Sequence, residues 1–194
     1  MGEKTNTAAL VLIPPREIWE PIQRIRRVHD RHFERWMPHV SLLYPFRPRG
    51  EFGAARPLVA AACARVEPFT VRLAEFRFFK HRRSFTAWLD PEPTDEIVRL
   101  QLELAREFPD CDDVNRFDEG FRPHLSVGQA RTVYEIDALL AELSGEWRPL
   151  EFEATEVAMI WRGPKTGDVF RVAKAVRLGR EAVEEATSSP PGPR

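Results

Sequence analysis

Two short stretches of the chain, "PHVS" and "PHLS", each place a histidine and a serine two residues apart after a proline. Side chains at positions i and i+2 of a β-strand point to the same face, so His39 and Ser41 would stand about 6–7 Å apart on one side of a strand. His124 and Ser126 repeat this spacing 85 residues later. One such pair is typical of an ordinary half-exposed strand, whereas two matched pairs indicate an active site.

The side chains of these two motifs suit the cleavage of a phosphodiester. Imidazole has an ordinary pKa of about 6.5, so one ring can take a proton from the attacking oxygen while the other protonates the leaving oxygen. Serine hydroxyls can donate hydrogen bonds to the non-bridging phosphate oxygens without adding charge. This chemistry requires no metal and no cofactor, and we expect neither.

A metal site is the alternative that the sequence leaves open. His29 and His32 lie three residues apart on a predicted helix, which is a spacing that metal ligands use. No third ligand is evident nearby in the sequence, so the edge of an amphipathic helix is the favoured interpretation.

The elements that position the motifs follow from hydrophobic periodicity. Apolar side chains recur at helical spacing in four segments, 16–33, 54–66, 94–108 and 132–143. Thr94 is the predicted N-cap of the third helix. Short apolar or alternating runs predict seven strands, over 7–13, 39–46, 69–80, 85–91, 123–130, 150–161 and 168–178.

These elements occur in the same order in each half of the chain: strand, helix, motif strand, helix, strand. We interpret this order as a degenerate two-fold repeat, over approximately 7–81 and 84–178. It predicts an α+β fold in one bilobal domain, 1–179, with pseudo-two-fold symmetry. Two antiparallel β-sheets would form a central cleft, with helices packed outside and the two motif strands facing each other.

The paired motifs "HVSLLYPF" and "HLSVGQ" in two similar halves resemble those of the 2H phosphoesterase superfamily, which includes the 2′-5′ RNA ligase-like proteins. The resemblance spans residues 7–178. It implies a metal-independent phosphoric diester hydrolase that opens 2′,3′-cyclic phosphates of nucleotides or RNA ends, with 2′-5′ RNA ligase-type activity in some members. Other members trim RNA 3′ ends or mainly bind nucleotides, and both alternatives stay open here.

Carried over to this chain, the resemblance makes His39 and His124 the catalytic acid–base pair and Ser41 and Ser126 the phosphate-binding donors. The residues do not decide which histidine is the base. Our working assignment is that His124 activates water and His39 protonates the leaving oxygen.

Three further side chains are candidates for contacts with the substrate. Tyr44 would point into the core of a regular strand, but a bulge after Ser41 would turn it into the cleft to stack on a base. Arg122, just before Pro123, could reach a phosphate or form a surface salt bridge, and Arg162 could lie at the rim of the cleft. The basic turn "KHRRS" fits a contact with an RNA backbone or a solvated hairpin equally well.

The composition limits the kinds of binding partner and the cellular compartment that we expect for this protein. A net charge of −1 and a pI of about 6.5 argue against capture of duplex DNA, because that usually requires a basic face. Two cysteines without a CxxC motif, and no apolar run long enough to span a bilayer, predict a cytoplasmic protein. We expect a monomer that acts on a nucleotide or an RNA terminus. The Pro-rich tail, 180–194, is predicted to be disordered.

Overall fold

Two four-stranded antiparallel sheets form the framework of the protein in a computed structural model that describes residues 2–111, 113, 120–165 and 167–179. The first sheet has the strand order β2-β1-β7-β8 and the second has the order β5-β4-β3-β6. The predicted α+β class and the pair of antiparallel sheets are confirmed. The tail predicted to be disordered, 180–194, lies outside the described residues.

The strands of the first sheet are β1 (Ala8–Leu12), β2 (Val40–Leu43), β7 (Glu156–Trp161) and β8 (Arg171–Arg177). Those of the second are β3 (Phe69–Lys80), β4 (Phe85–Glu92), β5 (Leu125–Ala130) and β6 (Leu150–Ala154). Within the described residues the α-helices are α1 (Trp19–His29), α2 (Phe52–Cys63), α3 (Thr94–Glu107) and α4 (Val133–Glu146). Single 3₁₀ turns, Arg16–Ile18 and Arg49–Glu51, lead into α1 and α2.

The two halves of the chain exchange strands. β3 belongs to the first half of the sequence but lies in the second sheet, whereas β7 and β8 come from the second half and complete the first sheet. Among the described residues, the larger of two apolar clusters, which includes Leu10, Val71 and Leu89, connects the sheets and helices. The boundary between the sequence repeats therefore does not coincide with a boundary between the sheets.

Two sequence predictions about the elements were wrong. The strand predicted over 150–161 is two strands, because β6 pairs with β3 whereas β7 pairs with β1. Burial in the structure changes at this break: residues alternate between buried and exposed along β6, whereas residues 157–160 are buried on both faces. Thr94 does not cap α3; Pro93 is the N-cap, and the Thr94 side chain makes no capping hydrogen bond.

The motif strands β2 and β5 are edge strands of their sheets, and they contact each other. Helix α1 packs against β5, so the first half of the chain also covers the second motif. Gly128 in β5 makes this close approach possible. A Cβ atom at Gly128 would lie 2.7 Å from the His29 Cβ and 3.3 Å from the His29 carbonyl oxygen.

We expect Gly128→Ala to lower the free energy of unfolding by about 1–3 kcal/mol, because α1 must move away from β5 to admit the methyl group. Urea unfolding at neutral pH measures this change. Gly53→Ala is the matched control, since a Cβ at Gly53 in α2 meets nothing within 4 Å and should leave stability unchanged or raise it by up to about 1 kcal/mol. Equal effects of the two substitutions would show that the contact between α1 and β5 is not tight.

Candidate active site

Each motif histidine stands immediately before an edge strand. His39 precedes Val40, the first residue of β2, and His124 precedes Leu125, the first residue of β5. The prolines before them, Pro38 and Pro123, are buried, whereas both histidines are only half-buried. The two histidines therefore occupy equivalent positions at the two edges that meet.

A β-bulge follows the serine in both motifs. Along β2, Ser41 pairs with Val11 and Leu43 pairs with Leu10, which leaves Leu42 as an extra residue. Along β5, Ser126 pairs with Trp88 and Gly128 pairs with Ala87, so Val127 is the extra residue there. A bulge shifts the alternation of faces by one residue. Beyond the serine, the next side chain on the histidine face is therefore five residues after the histidine in both strands, whereas a regular strand would place it four residues after.

These five-residue positions are Tyr44 and Gln129, and both line the same cavity as the motif side chains. Tyr44 was expected in the core unless a bulge turned it, and the bulge places it in the cleft. Its hydroxyl donates a hydrogen bond to the Asn6 carbonyl oxygen at 3.2 Å. Gln129 was not predicted as a cleft residue, although its place in "HLSVGQ" matches that of Tyr44 in "HVSLLY".

The cavity has a volume of about 250 Å³ and contains all four motif side chains. The described residues that line it are Arg26, Asp30, Arg31, His32, Trp36, His39, Ser41, Tyr44, Thr86, His124, Ser126 and Gln129. Among these lining residues there is neither Arg122 nor Arg162. The Arg122 guanidinium lies over the Trp88 ring, 5.0 Å from its centroid, and Arg162 lies over Phe170 at 5.6 Å.

One ring nitrogen of each histidine is held by the backbone. His39 Nδ1 lies 2.7 Å from the Met37 carbonyl oxygen, and His124 Nδ1 lies 2.9 Å from the Arg122 carbonyl oxygen. A carbonyl oxygen can only accept a hydrogen bond, so Nδ1 carries the proton in both rings. The neutral tautomer therefore leaves Nε2 of each imidazole as the basic nitrogen.

Aromatic rings support the two imidazoles in different ways. The Trp36 ring stacks on His39, with centroids 4.7 Å apart and planes 15° apart, and its stacking with Phe170 holds it in turn. His124 instead meets Phe79 edge to face at 4.9 Å, with Trp88 at 6.0 Å. Trp36 lies in a loop, where no hydrophobic periodicity marks it in the sequence. Its position just before "MPH" is the only sequence feature that could have pointed to its place beside His39.

Although both side chains are partly exposed at the cavity, the protein atoms packed around each ring desolvate it and make both histidines weaker bases. Desolvation lowers the pKa of His39 to about 4, and the positive charge of Arg26 adds to this effect. Desolvation also lowers the pKa of His124, with a smaller contribution from nearby His81. Both imidazoles are therefore neutral in the free protein at neutral pH.

We expect the lowered pKa of His39 to make the fold less stable as pH falls from about 6.5 to about 4, because the unfolded chain binds more protons in that window. Between pH 7 and pH 5 this one group should remove roughly 1–2 kcal/mol from the free energy of unfolding. Urea unfolding of the wild type and of His39→Gln at both pH values measures this loss. An equal loss in the two proteins would contradict the lowered pKa.

Neither motif serine makes a side-chain hydrogen bond with another residue of the described chain, although both line the cavity. The two hydroxyl groups are therefore free to bind a ligand. A third hydroxyl, that of Thr86, also lines the cavity and lies 3.0 Å from His81 Nε2.

His32 lines the cavity, and its Nε2 accepts a hydrogen bond from Arg31 Nε at 3.2 Å. His29 instead packs its Cβ against β5. The residues that the structure describes contain no group of three or more histidine, cysteine, aspartate or glutamate side chains arranged to hold a metal ion. In the same part of the chain, no helix is long and apolar enough to cross a membrane.

Comparison of the sequence with known proteins finds a matching family and several relatives. The family model of the 2′-5′ RNA ligase superfamily matches residues 14–166. A Geobacillus kaustophilus protein provisionally named a phosphoesterase is 27% identical over 122 residues, which cover 62% of this chain and 67% of the relative. A Bacillus cereus protein with the same provisional name is 24% identical over 144 residues, covering 74% and 78%.

Solved structures share the fold at low sequence identity. TT0787 of Thermus thermophilus has a TM-score of 0.61 and 19% identity, and the match covers 90% of this chain and 100% of that one. E. coli LigT complexed with 3′-AMP has a TM-score of 0.60 and 18% identity, with coverage of 90% and 98%. LigT has also been crystallised with NADP+ and with ATP.

Proposed function

Because the chain belongs to the 2′-5′ RNA ligase superfamily, we propose that it is a metal-independent phosphoesterase that hydrolyses 2′,3′-cyclic phosphodiesters of nucleotides or RNA ends. The observation that carries the proposal is the content of one cavity: two imidazoles with Nδ1 held by the backbone, and two free serine hydroxyls. Phosphodiester hydrolysis uses a base, an acid and neutral donors to phosphate oxygens, and these four groups supply all three.

In the proposed reaction His124 Nε2 takes a proton from a water molecule, whose oxygen forms a bond to phosphorus. The bond between phosphorus and one ribose oxygen breaks, and His39 Nε2–H gives its proton to that oxygen. Ser41 and Ser126 donate hydrogen bonds to the non-bridging oxygens while negative charge moves onto the leaving oxygen. The product is a ribose with one phosphomonoester and one hydroxyl.

His39 must gain a proton before it can act as the acid. Its pKa is low in the free protein, but a bound phosphodiester anion favours the imidazolium and raises the pKa. The face of Trp36 also favours a cation stacked on it. The bound anion would act on both imidazoles, so it is the stacking on Trp36, which His39 has and His124 lacks, that supports the assignment of His39 as the acid and of His124 as the base.

The same groups would also support a joining reaction. With an RNA 5′-hydroxyl in place of water, that oxygen would form the bond to phosphorus of the 2′,3′-cyclic phosphate, and the bond to the ribose 3′-oxygen would break, which leaves a 2′-5′ phosphodiester as in 2′-5′ RNA ligase-type joining. By microscopic reversibility the same groups would let the free 3′-hydroxyl cleave that linkage. The complexes of LigT with 3′-AMP, ATP and NADP+ support a nucleotide as the ligand of this chain.

We further propose that the protein acts as a monomer in the cytoplasm. Both motifs meet in one cavity of one chain, which supports a site formed within a single copy. Light scattering coupled to gel filtration would test the monomer, and a dimer that loses activity on dilution would contradict it.

The test of the proposed function is turnover of the four 2′,3′-cyclic mononucleotides and of RNA oligomers with 2′,3′-cyclic ends, measured with EDTA present. We expect hydrolysis to a single phosphomonoester isomer, which product analysis would assign as 2′ or 3′. Tight binding of nucleotides without turnover across this panel would replace the proposal with a nucleotide-binding module. Loss of activity in EDTA that added metal restores would favour the metal alternative.

A further inference from the structure

A buried ion pair lies in the wall of the cavity, beyond the two motifs. Arg26 in α1 and Asp30, which follows α1, have side chains that are 2% and 3% exposed. Arg26 Nε donates to Asp30 Oδ2 at 2.9 Å, and Arg26 Nη2 lies 2.8 Å from the same oxygen. Asp30 Oδ1 points elsewhere: it accepts a hydrogen bond from Gln129 Nε2 at 3.1 Å and another from the backbone N–H of His32 at 2.9 Å.

Gln129 connects this pair to the second motif. It lies in β5, five residues after His124, whereas Asp30 belongs to the segment before the first motif. Both ends of its amide are used, because Nε2 donates to Asp30 and Oε1 accepts the Arg31 backbone N–H at 3.0 Å. Only a side chain with one donor and one acceptor can make both bonds, so glutamate and leucine cannot replace it.

The other end of the network reaches the first histidine. Arg26 Nη2 donates to the Trp36 carbonyl oxygen at 2.9 Å, and Trp36 is the ring that stacks on His39. Arg26 Nη1 donates to Gln23 Oε1 at 2.9 Å, which fixes the guanidinium on its helix. A continuous series of hydrogen bonds therefore runs from Gln129 in β5 through Asp30 and Arg26 to the backbone of Trp36, whose ring stacks on His39.

We propose that Arg26, Asp30 and Gln129 are positioning residues that hold Trp36 and His39 at a fixed place relative to the second motif. This inference rests on the proposed function of the same cavity. An in-line displacement needs its base and acid on opposite sides of one phosphorus atom, so a small shift of either imidazole is costly. A buried ion pair is weak evidence for a role in stability alone, because apolar residues often replace such pairs without loss.

Three variants test the network. In Gln129→Glu a carboxylate faces the carboxylate of Asp30, and in Asp30→Asn two amide groups meet and Arg26 loses its counter-ion. In the double variant, the asparagine introduced at position 30 can donate to the glutamate introduced at position 129, and the total charge of the wild type is kept. The His32 backbone N–H then faces that amide nitrogen and loses its acceptor. Each single variant should therefore disrupt the network, and the double variant should restore it in part.

The kinetic expectation separates kcat from KM. We expect kcat to fall about tenfold or more in each single variant and to recover by about threefold or more, relative to the slower single variant, in the double variant. KM should rise in Gln129→Glu, because the added negative charge repels a phosphate, but not in Asp30→Asn, which removes a negative charge. A structural defect alone would not separate the two variants in KM or be repaired by the second substitution.

A second readout does not depend on turnover. The His39 ring protons lie in the ring-current field of Trp36, so their NMR chemical shifts report the stacking of the two rings. We expect these shifts to move toward unstacked values in both single variants and to move back toward wild-type values in the double variant. If the wild type showed no turnover, the proposed function would fail, while the chemical shifts would still decide on the positioning network.

Asp110→Asn is the matched control. Asp110 forms a two-bond ion pair with buried Arg47, at 2.5 and 2.7 Å, and neither residue lines the cavity. This substitution should leave kcat, KM and the His39 shifts unchanged. Unchanged kcat and unchanged His39 shifts in Gln129→Glu and Asp30→Asn would overturn the proposal. A double variant whose kcat falls by the product of the two single-variant losses would also overturn the proposal.

Discussion

Replacing either His39 or His124 with alanine should lower kcat on a 2′,3′-cyclic nucleotide by about 10²- to 10⁴-fold. Each substitution removes the group to which the proposed mechanism assigns one proton transfer, while the backbone partners of Nδ1 and the serine hydroxyls remain. The double variant should be little slower than the slower single variant, because groups that act as a unit give non-additive losses. Initial rates with saturating substrate measure all three effects.

His29→Asn is the control for this experiment. His29 is a histidine of α1 that does not line the cavity, and asparagine keeps the Cβ that packs against β5. The control should retain wild-type kcat, and circular dichroism should show that all four proteins are folded. Wild-type rates in both motif variants, or a loss of activity in His29→Asn, would refute the assignment and direct attention to the metal alternative.

The second large effect is expected from the serines. Ser41→Ala and Ser126→Ala should each lower kcat by about 10²-fold, because each removes a donor to an oxygen on which charge changes in the transition state. KM should change less than kcat, since the interaction strengthens as the reaction proceeds. Steady-state kinetics on the preferred cyclic substrate would separate the two parameters.

Threonine is the informative replacement at these two positions. It keeps the hydroxyl, and β-branched side chains suit a strand, so Ser41→Thr and Ser126→Thr should retain kcat within about threefold. Ser144→Ala, on an exposed position of α4, controls for the loss of a serine hydroxyl elsewhere. Equal losses of kcat in the alanine and threonine variants would indicate that the size of the side chain matters and that its hydroxyl does not.

The sequence was sufficient to predict the parts of the site that rest on local geometry. The period of two along a strand places His39 beside Ser41, and the second motif repeats that arrangement without any knowledge of the fold. The proline before each histidine and the apolar residues behind it predict where the strands begin. The similar order of elements in the two halves predicts two sheets whose motif strands meet.

The remaining features depend on tertiary contacts that have no local signature. The bulges that bring Tyr44 and Gln129 into the cleft are visible only in the pairing of β2 with β1 and of β5 with β4. Trp36 reaches His39 because the loop that carries it folds back, so that the two rings stack. Asp30 meets Gln129 from a distance of 99 residues, and no periodicity reports such a pair.

Exchange of strands between the sheets was also beyond local prediction. Apolar residues recur throughout the run over 150–161, and only its change from alternating to continuous burial marks the point at which the chain passes from one sheet to the other. Pairing partners that are distant in sequence decide this outcome, since the same apolar residues would fit either sheet.

The pH dependence of kcat in the wild type and the two single histidine variants tests the central claim most directly. The wild type should give a bell-shaped profile, because the base must be neutral and the acid must be protonated in the complex. The residual activity of His124→Ala should lack the acid limb, and that of His39→Ala should lack the alkaline limb. A wild-type profile without limbs, or both limbs intact in both variants, would contradict an acid–base pair formed by His39 and His124.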